Sequence, residues 1–386
     1  MAEKYIYADN AATTKLSSAA KKAMLPYLGE LYGNASSLHS AGQRAKDALN
    51  QAREDVAAAI GAKSSLEITF TSGGSESDNQ AIISAANIGS KQRKKHIIST
   101  KFEHHAVVHT LDKLERQGFE ITLLAPGRDG LIRTEDVKAS IRDDTSLVTV
   151  MYANNEIGTV QPIAEIGAVC REKGVLFHTD AVQAVGHLPI DVEAQNIDLL
   201  SLSAHKFHGP KGVGALYSRR GIALTRLIEG GSQEKGRRAG TENMMGIIGL
   251  AAALKDQVAK LDQTIPYVSA IRDRIIDGLL EIPNTILNGD RTKRLGGNVH
   301  VSFAGIEGES LLLLLDEKGI AASSRSACAS SSLLPSHALF SIGVPEEIAH
   351  GSLRLSLSEY NTLDEAEYII QAVKSAVSEL RSISPI

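Results

Sequence analysis

Lys206 ends the run Ser-Ala-His-Lys, just past an apolar stretch and ahead of Phe-His-Gly-Pro-Lys-Gly. A lysine at a strand end among small residues is partly desolvated, which lowers its pKa and suits it to imine formation. A lone loop lysine is ordinarily a solvated one, so its neighbours must decide. Asp180, in His-Thr-Asp-Ala-Val-Gln, closes another apolar run. Alone it reads equally as a helix N-cap or as a carboxylate aimed into the crevice at the strand carboxyl ends. An aspartate ending one strand and a lysine ending the next have a joint meaning. They can hold a pyridinium nitrogen with a carboxylate while the lysine carries an aldehyde as a Schiff base.

The third requirement of such chemistry is a phosphate site. Residues 71–79, Thr-Ser-Gly-Gly-Ser-Glu-Ser-Asp-Asn, follow a strand-like run and open a helical one. Free backbone N–H groups, glycines and the positive helix end make an anion cradle there. The segment lacks the Gly-Lys-Ser/Thr ending of a Walker loop, and it is not a dinucleotide fingerprint. Taken alone it would be an ordinary capped helix start; beside Lys206 and Asp180 it reads as a phosphate grip.

The two cysteines differ in setting. Cys170 falls on the apolar side of an amphipathic segment and is expected to be buried and inert. Cys328 lies in Ser-Ser-Arg-Ser-Ala-Cys-Ala-Ser-Ser-Ser, residues 323–332, a polar and non-periodic stretch expected to form a mobile loop. An exposed, mobile thiol can attack one sulfur and then present it elsewhere. Two distant cysteines make neither a disulfide framework nor a cysteine zinc site. The triplet Glu103-His104-His105 hints at a metal, but no third ligand cluster accompanies it, and no metal is assigned.

The elements that must position these groups alternate along the chain. Apolar periodicity predicts helices over 41–60, 75–88, 105–117, 163–173 and 244–261. Branched apolar runs predict strands over 68–71, 96–99, 120–124, 147–151, 176–180, 199–202 and 214–217. That alternation predicts an α/β architecture through about residue 260, with a mostly parallel sheet covered on both faces. Farther on, helices are expected over 272–280, 308–318 and 362–380, and strands over 297–303 and 352–356. One long helix near 244–264 is expected to join two domains.

Composition limits the alternatives. Across 386 residues, 43% are apolar and 22% charged, an ordinary balance for a soluble globular chain of two or three domains. Lysine and arginine total 41 against 45 acidic residues, so a generally basic nucleic-acid coat is excluded. With no tryptophan and 4% aromatics, an aromatic platform for single-stranded nucleic acid is disfavoured. No signal-peptide core and no membrane-length apolar run stand out, so a cytoplasmic, reducing location is expected.

The chain resembles the NifS/IscS-like cysteine desulfurases, of the class V aminotransferase-like group of fold-type I pyridoxal-phosphate enzymes. The resemblance runs from Tyr-Ala-Asp-Asn-Ala-Ala-Thr-Thr at residue 7 to the C-terminal helix. It is carried by Asn-Ala-Ser-Ser-Leu-His at 34–39, residues 70–79, Glu-His-His at 103–105, Asn-Asn-Glu-Ile-Gly at 154–158, residues 180–183 and 203–206, Arg-Ala-Gly-Thr-Glu-Asn at 238–243, and residues 324–331. It implies the type I aspartate aminotransferase-like fold. A large cofactor domain would span 15–262, and a smaller α+β domain 1–14 and 263–386, with the cysteine loop at about 321–334.

The resemblance also implies roles. Lys206 would hold pyridoxal 5'-phosphate as a Schiff base and shuttle protons, Asp180 would face the ring nitrogen, His104 would stack on the ring, and Gln183 would bond its phenolic oxygen. Gly74, Ser75, Ser203 and His205 would hold the phosphate, with Thr241 arriving from a partner subunit, which implies a homodimer. Asn155 would line the cofactor and, with Arg354, grip the substrate carboxylate; planar forked donors suit arginine to that task. Without the resemblance, Arg354 is equally a salt-bridge residue, Asn155 a turn residue, and His104 a cap.

The implied reaction takes sulfur from L-cysteine. Lys206 moves the α-proton, electron withdrawal makes the substrate sulfur electrophilic, and the Cys328 thiolate attacks it. A persulfide and alanine result, with His104 handling the thiol proton. The persulfide would pass to an acceptor, an iron–sulfur scaffold or a thiolation enzyme, so metal enters through cluster assembly and not as a resident ion. One departure stands out: Arg325 replaces the glycine usual three residues before the cysteine. Loss of a flexible point and stabilisation of the thiolate by a nearby cation compete there. The alternatives are a selenocysteine lyase or related class V enzyme, and a weakly active sulfur-transfer scaffold of the same fold.

Overall fold

The computed structural model describes residues 5–324 and 336–383. Among them the main sheet has seven strands, in the order Ile68–Thr71, Gly214–Ser218, Leu199–Ser203, Leu176–Asp180, Thr145–Thr149, His96–Thr100 and Glu120–Leu124. Gly214–Ser218 is antiparallel to both neighbours and the others run parallel, so the sheet is mixed and mostly parallel. Every residue of Thr145–Thr149, Leu199–Ser203 and Gly214–Ser218 is buried, as helices on both faces require. That is why these strands appear in the sequence as short runs of apolar and small residues without a polar face.

Two expectations need correction. The strand expected over 147–151 is Thr145–Thr149. Beyond it, Val150 and Tyr152 keep backbone bonds to His178 and Asp180 (3.2 and 2.8 Å) while the chain turns toward the crevice. The single joining helix is in fact two, Met244–Val258 and Leu261–Leu280. The first packs Leu250, Ala253 and Leu254 into the core of the main sheet; the second packs Val268, Ile271, Ile275 and Leu279 into a separate core. One straight helix cannot face both, and the chain re-aims at Ala259 and Lys260. Sequence reasoning also missed the short helices Ser18–Met24 and Thr134–Ser140.

The second core lies on an antiparallel sheet ordered Ser352–Ser356, Asn298–Phe303, Thr285–Leu287. Helices Leu261–Leu280, Gly308–Glu317 and Leu363–Ile383 supply its apolar cover. The chain start belongs to it as well. Ile6–Tyr7 pairs in parallel with Ile320–Ala321, and the Asn10 side-chain amide donates to the Ser356 carbonyl at 2.8 Å. The chain then crosses to the first core, where the Thr14 N–H bonds the His205 carbonyl at 2.9 Å. Residues 9–14 thus tie the two cores together. Among the described residues no helix is long and apolar enough to cross a membrane.

Candidate active site

A cleft opens at the carboxyl ends of Leu176–Asp180 and Leu199–Ser203. Gly74, Ser75, His104, Asn155, Asp180, Gln183, Ser203, His205, Lys206 and Arg354 all line it, although they come from segments spread over the whole chain. This is the location expected for a ligand of an open α/β sheet.

Lys206 ends the one-turn helix Ala204–Lys206 that follows its strand. Its Nζ donates to the carbonyls of Ala11 and Ala12 at 2.6 and 2.9 Å, so the bridging segment aims it. Asp180 is buried at the end of its strand, and one carboxylate oxygen accepts the Val182 N–H at 2.9 Å. The turn-capping and crevice-facing readings are therefore both true of it. Burial raises its carboxyl pKa, while charges on His104 and Lys206 pull the other way.

The phosphate-like cradle forms where Ile68–Thr71 gives way to helix Gly74–Lys91. Gly73 adopts a φ of +153°, and a Cβ on Gly74 would stand 2.6 Å from a Val182 methyl. The loop can thus close against the turn after Asp180 only without side chains there. Thr71 and Ser77 hydroxyls bond at 2.8 Å, and the Ser72 N–H donates to Glu76 at 2.7 Å, which fixes the entry. Opposite, His205 is held through Nδ1 to Thr13 at 3.1 Å, and burial pulls its pKa down to about 4, so it is neutral at working pH.

His104 caps helix His105–Arg116: its Nδ1 accepts the Ala106 N–H at 3.1 Å. That bond leaves Nε2 as the proton-bearing nitrogen of the neutral ring. Burial also lowers its pKa, and the nearby Lys206 charge adds to this. Arg354, 1% exposed, donates to the Asn155 carbonyl at 3.1 Å and to Asp9 at 2.9 Å. The salt-bridge reading is real, yet its Nε has no partner among the described residues. A buried guanidinium with an unused donor beside Asn155 is suited to a carboxylate.

These features pass a test for pyridoxal phosphate. An anion cradle that a Cβ would fill, a buried carboxylate, and a lysine held over the cleft match its phosphate, ring nitrogen and aldehyde.

One expected residue lies elsewhere. Thr241 is exposed and does not line the cleft of its own chain. Cys328, with Arg325, falls outside the described residues. Sequence reasoning missed Ala11, Ala12, Asp78, Met151 and Val182 in the lining. Asp78 had a signal: it sits one helical turn beyond Gly74 and so shares its face. It is buried, its Oδ1 lies 3.6 Å from His178 Nε2, and burial, with the nearby Asp180 charge, holds its carboxyl well above the usual range.

Behind the cleft, Glu103 accepts from Thr100 at 2.7 Å and from the Met151 N–H at 2.9 Å, and burial raises its pKa from 4.5 to about 8. A raised acid contributes stability that is complete below its unfolded pKa and lost as pH rises through the folded one. Glu103→Gln should therefore flatten the decline in Tm between pH 4.5 and about 8. Above that range its Tm should exceed wild type by about 2 °C or more. Parallel melting curves for the two proteins across that range would count against the assignment.

Cys170 is buried in helix Ile163–Lys173, and burial with the nearby Asp198 pushes its thiol up to about 12. Alkylation of the native protein near pH 8 should spare Cys170, which should react only after unfolding; mass mapping that finds it labelled in the native state would contradict its burial.

A cleft at the strand ends of an α/β sheet, bearing a lysine, a carboxylate and an anion cradle, defines the site of a pyridoxal-phosphate enzyme. The chain belongs to the aminotransferase class-V family, whose profile matches residues 6–369. It is 52% identical over 383 residues to cysteine desulfurase IscS of Methanosarcina thermophila, covering 99% of this chain and 94% of that one. It is 50% identical over 386 residues to cysteine desulfurase IscS of Clostridium botulinum strain Hall, covering 99% and 97%. Among solved structures, a NifS-like protein superimposes with a TM-score of 0.91 at 36% identity, covering 98% of this chain and all of that one. SspA in complex with cysteine superimposes with a TM-score of 0.81 at 37% identity, covering 92% of this chain. Members of this family use pyridoxal phosphate.

Proposed function

We propose that this chain is a cysteine desulfurase: it converts L-cysteine to L-alanine and carries the sulfur as a persulfide on Cys328. The observation that carries the reading is the convergence of Lys206, Asp180, the cradle residues Gly74 and Ser75, and Arg354 on one cleft. It is supported by full-length similarity to proteins named cysteine desulfurase. The division into a large domain, 15–262, and a small one, 1–14 with 263–386, is part of the same proposal. The two cores meet across this cleft.

When bound, pyridoxal phosphate supplies an aldehyde for the substrate amine and a ring that withdraws electrons. Lys206 would hold that aldehyde and later move the α-proton. Asp180 would keep a proton on the ring nitrogen, Gln183 would bond the phenolic oxygen, and His104 would stack on the ring. Gly74, Ser75, Ser203 and His205 would hold the phosphate, joined by the partner subunit's Thr241 in a homodimer. Arg354 and Asn155 would fix the substrate carboxylate, which leaves the thiol end free. His104, with its proton on Nε2, is set to donate before it accepts.

The sulfur step balances without an oxidant. The Cys328 thiolate bonds to the substrate sulfur, the carbon–sulfur bond breaks, and the proton lost from the two thiols returns to carbon as alanine forms. The persulfide then passes to an acceptor such as an iron–sulfur scaffold or a thiolation enzyme. Purified holoenzyme given L-cysteine should yield alanine and a protein persulfide in equal amounts before turnover. Alanine without persulfide would favour a direct lyase instead.

A further inference from the structure

The segment that carries Thr241 is fastened to the phosphate cradle of its own chain. Glu234 is the chief fastener. Its carboxylate pairs with both terminal nitrogens of Arg53 at 2.6 and 2.7 Å and accepts the Phe70 N–H at 3.0 Å. Arg53 also donates to the Ile68 carbonyl at 2.8 Å. Ile68 and Phe70 belong to the strand that runs directly into the cradle. The pair is almost wholly buried, with side-chain exposures of 8% and 4%. A buried bidentate pair of this kind is strong and directional.

The backbone there shows what the fastening does. Glu234 and the following Lys235 both sit in the left-handed region, at φ +47° and +57°. Side-chain-bearing residues hold that conformation only where their surroundings impose it. Two more ties reach the cradle helix itself. Arg238 Nε bonds Glu76 at 3.0 Å, and Glu76 also receives the Ser72 N–H within the cradle loop. The Gln80 amide donates to the Arg237 carbonyl at 2.9 Å. Thr241 lies three residues beyond Arg238 and is exposed.

We infer that the two cofactor sites of the dimer are coupled through this segment, with Glu234 and Arg238 as positioning residues. The inference rests on the reading that Thr241 completes the phosphate site of the partner subunit. An anion bound in one cradle further restrains the start of helix Gly74–Lys91, which the Ser72–Glu76 bond already holds. Through Glu76, Gln80 and Glu234 it restrains the segment that offers Thr241 to the other site. Ordering completed by the first ligand is ordering the second need not drive, and such coupling is reciprocal. Cofactor uptake is therefore positively cooperative.

The test strips the full-length holoenzyme with a carbonyl reagent and titrates the apo-dimer with pyridoxal phosphate, reading visible absorbance. Wild type should fill along a sigmoid with a Hill coefficient above one. Arg238→Gln leaves the buried Arg53–Glu234 pair intact and should fill hyperbolically, with half-saturation raised several-fold and the dimer retained. Glu234→Gln should do the same; if it fails to fold, Arg238→Gln decides alone. A purely structural role for Arg238 would shift stability and leave the curve's shape unchanged. Hyperbolic filling by a wild-type dimer, or an unchanged sigmoid in Arg238→Gln, overturns the coupling alone. Light scattering that finds a monomer overturns the dimer reading, and the coupling with it.

Discussion

Lys206→Ala is expected to lose alanine production from L-cysteine by about 10³-fold or more, the range for removing a positioned acid–base and covalent group. The loss should have a chemical signature. Borohydride treatment of wild type should fix the cofactor to the chain at Lys206, and the same treatment of the variant should fix none. The Ala11 and Ala12 carbonyls that aim its Nζ are backbone groups and cannot take over proton transfer. The fold should survive, because Lys206 ends a single helical turn and its bonds go to a loop. Cofactor fixed elsewhere in the variant with activity intact would remove Lys206 from its assigned role.

The second large effect is at Cys328. Cys328→Ser should abolish the protein persulfide and cut sulfur transfer by at least about 10³-fold, as loss of a catalytic nucleophile does. A hydroxyl cannot form the sulfur–sulfur bond that carries the product. Cofactor absorbance should be unchanged, since Cys328 is not among the residues expected to hold the cofactor. That contrast separates Cys328 from Lys206, whose loss removes the covalent link as well. Full sulfur transfer by Cys328→Ser would sink the sulfur-carrier assignment. The buried Cys170, with its thiol at about 12, is no alternative carrier.

Much of this site was legible because its residues sit at local signals. Lys206 and Asp180 stand at strand ends, and the cradle loop combines a strand, two glycines and a helix start; each leaves a mark within ten residues of sequence. Other features depend on partners far away in the chain. Ala11 and Ala12 are featureless in sequence, and their carbonyls matter because Lys206 reaches them across 195 and 194 residues. Asp78 is marked only by its spacing from Gly74, and its burial against His178 and Asp180 depends on strands about 100 residues away. The bend at Ala259–Lys260 was hidden because apolar periodicity continues through it while the core it faces changes. The antiparallel strand Gly214–Ser218 was equally silent, since a strand buried on both faces has one pattern whichever way it runs.

The stitching of residues 9–14 between the two cores has a bearing on how the protein is made. A nascent chain emerges N-terminus first at about 5–20 residues per second. The strand that ends in Asp180 and the turn that ends in Lys206 can be in place well before Arg354 is synthesised. Yet Ile6 pairs with Ile320, Asn10 with Ser356 and Asp9 with Arg354. Ile6, Asp9 and Asn10 therefore lack these partners until nearly all of the chain has left the ribosome, although residues 11–14 can meet Gln183, His205 and Lys206 earlier. Lys206 can meet the Ala11 and Ala12 carbonyls early, whereas the strand that carries Arg354 adds its part of the cleft only at the end. A chain that stops before Ser352 should therefore carry a folded main sheet and a cleft that lacks its guanidinium.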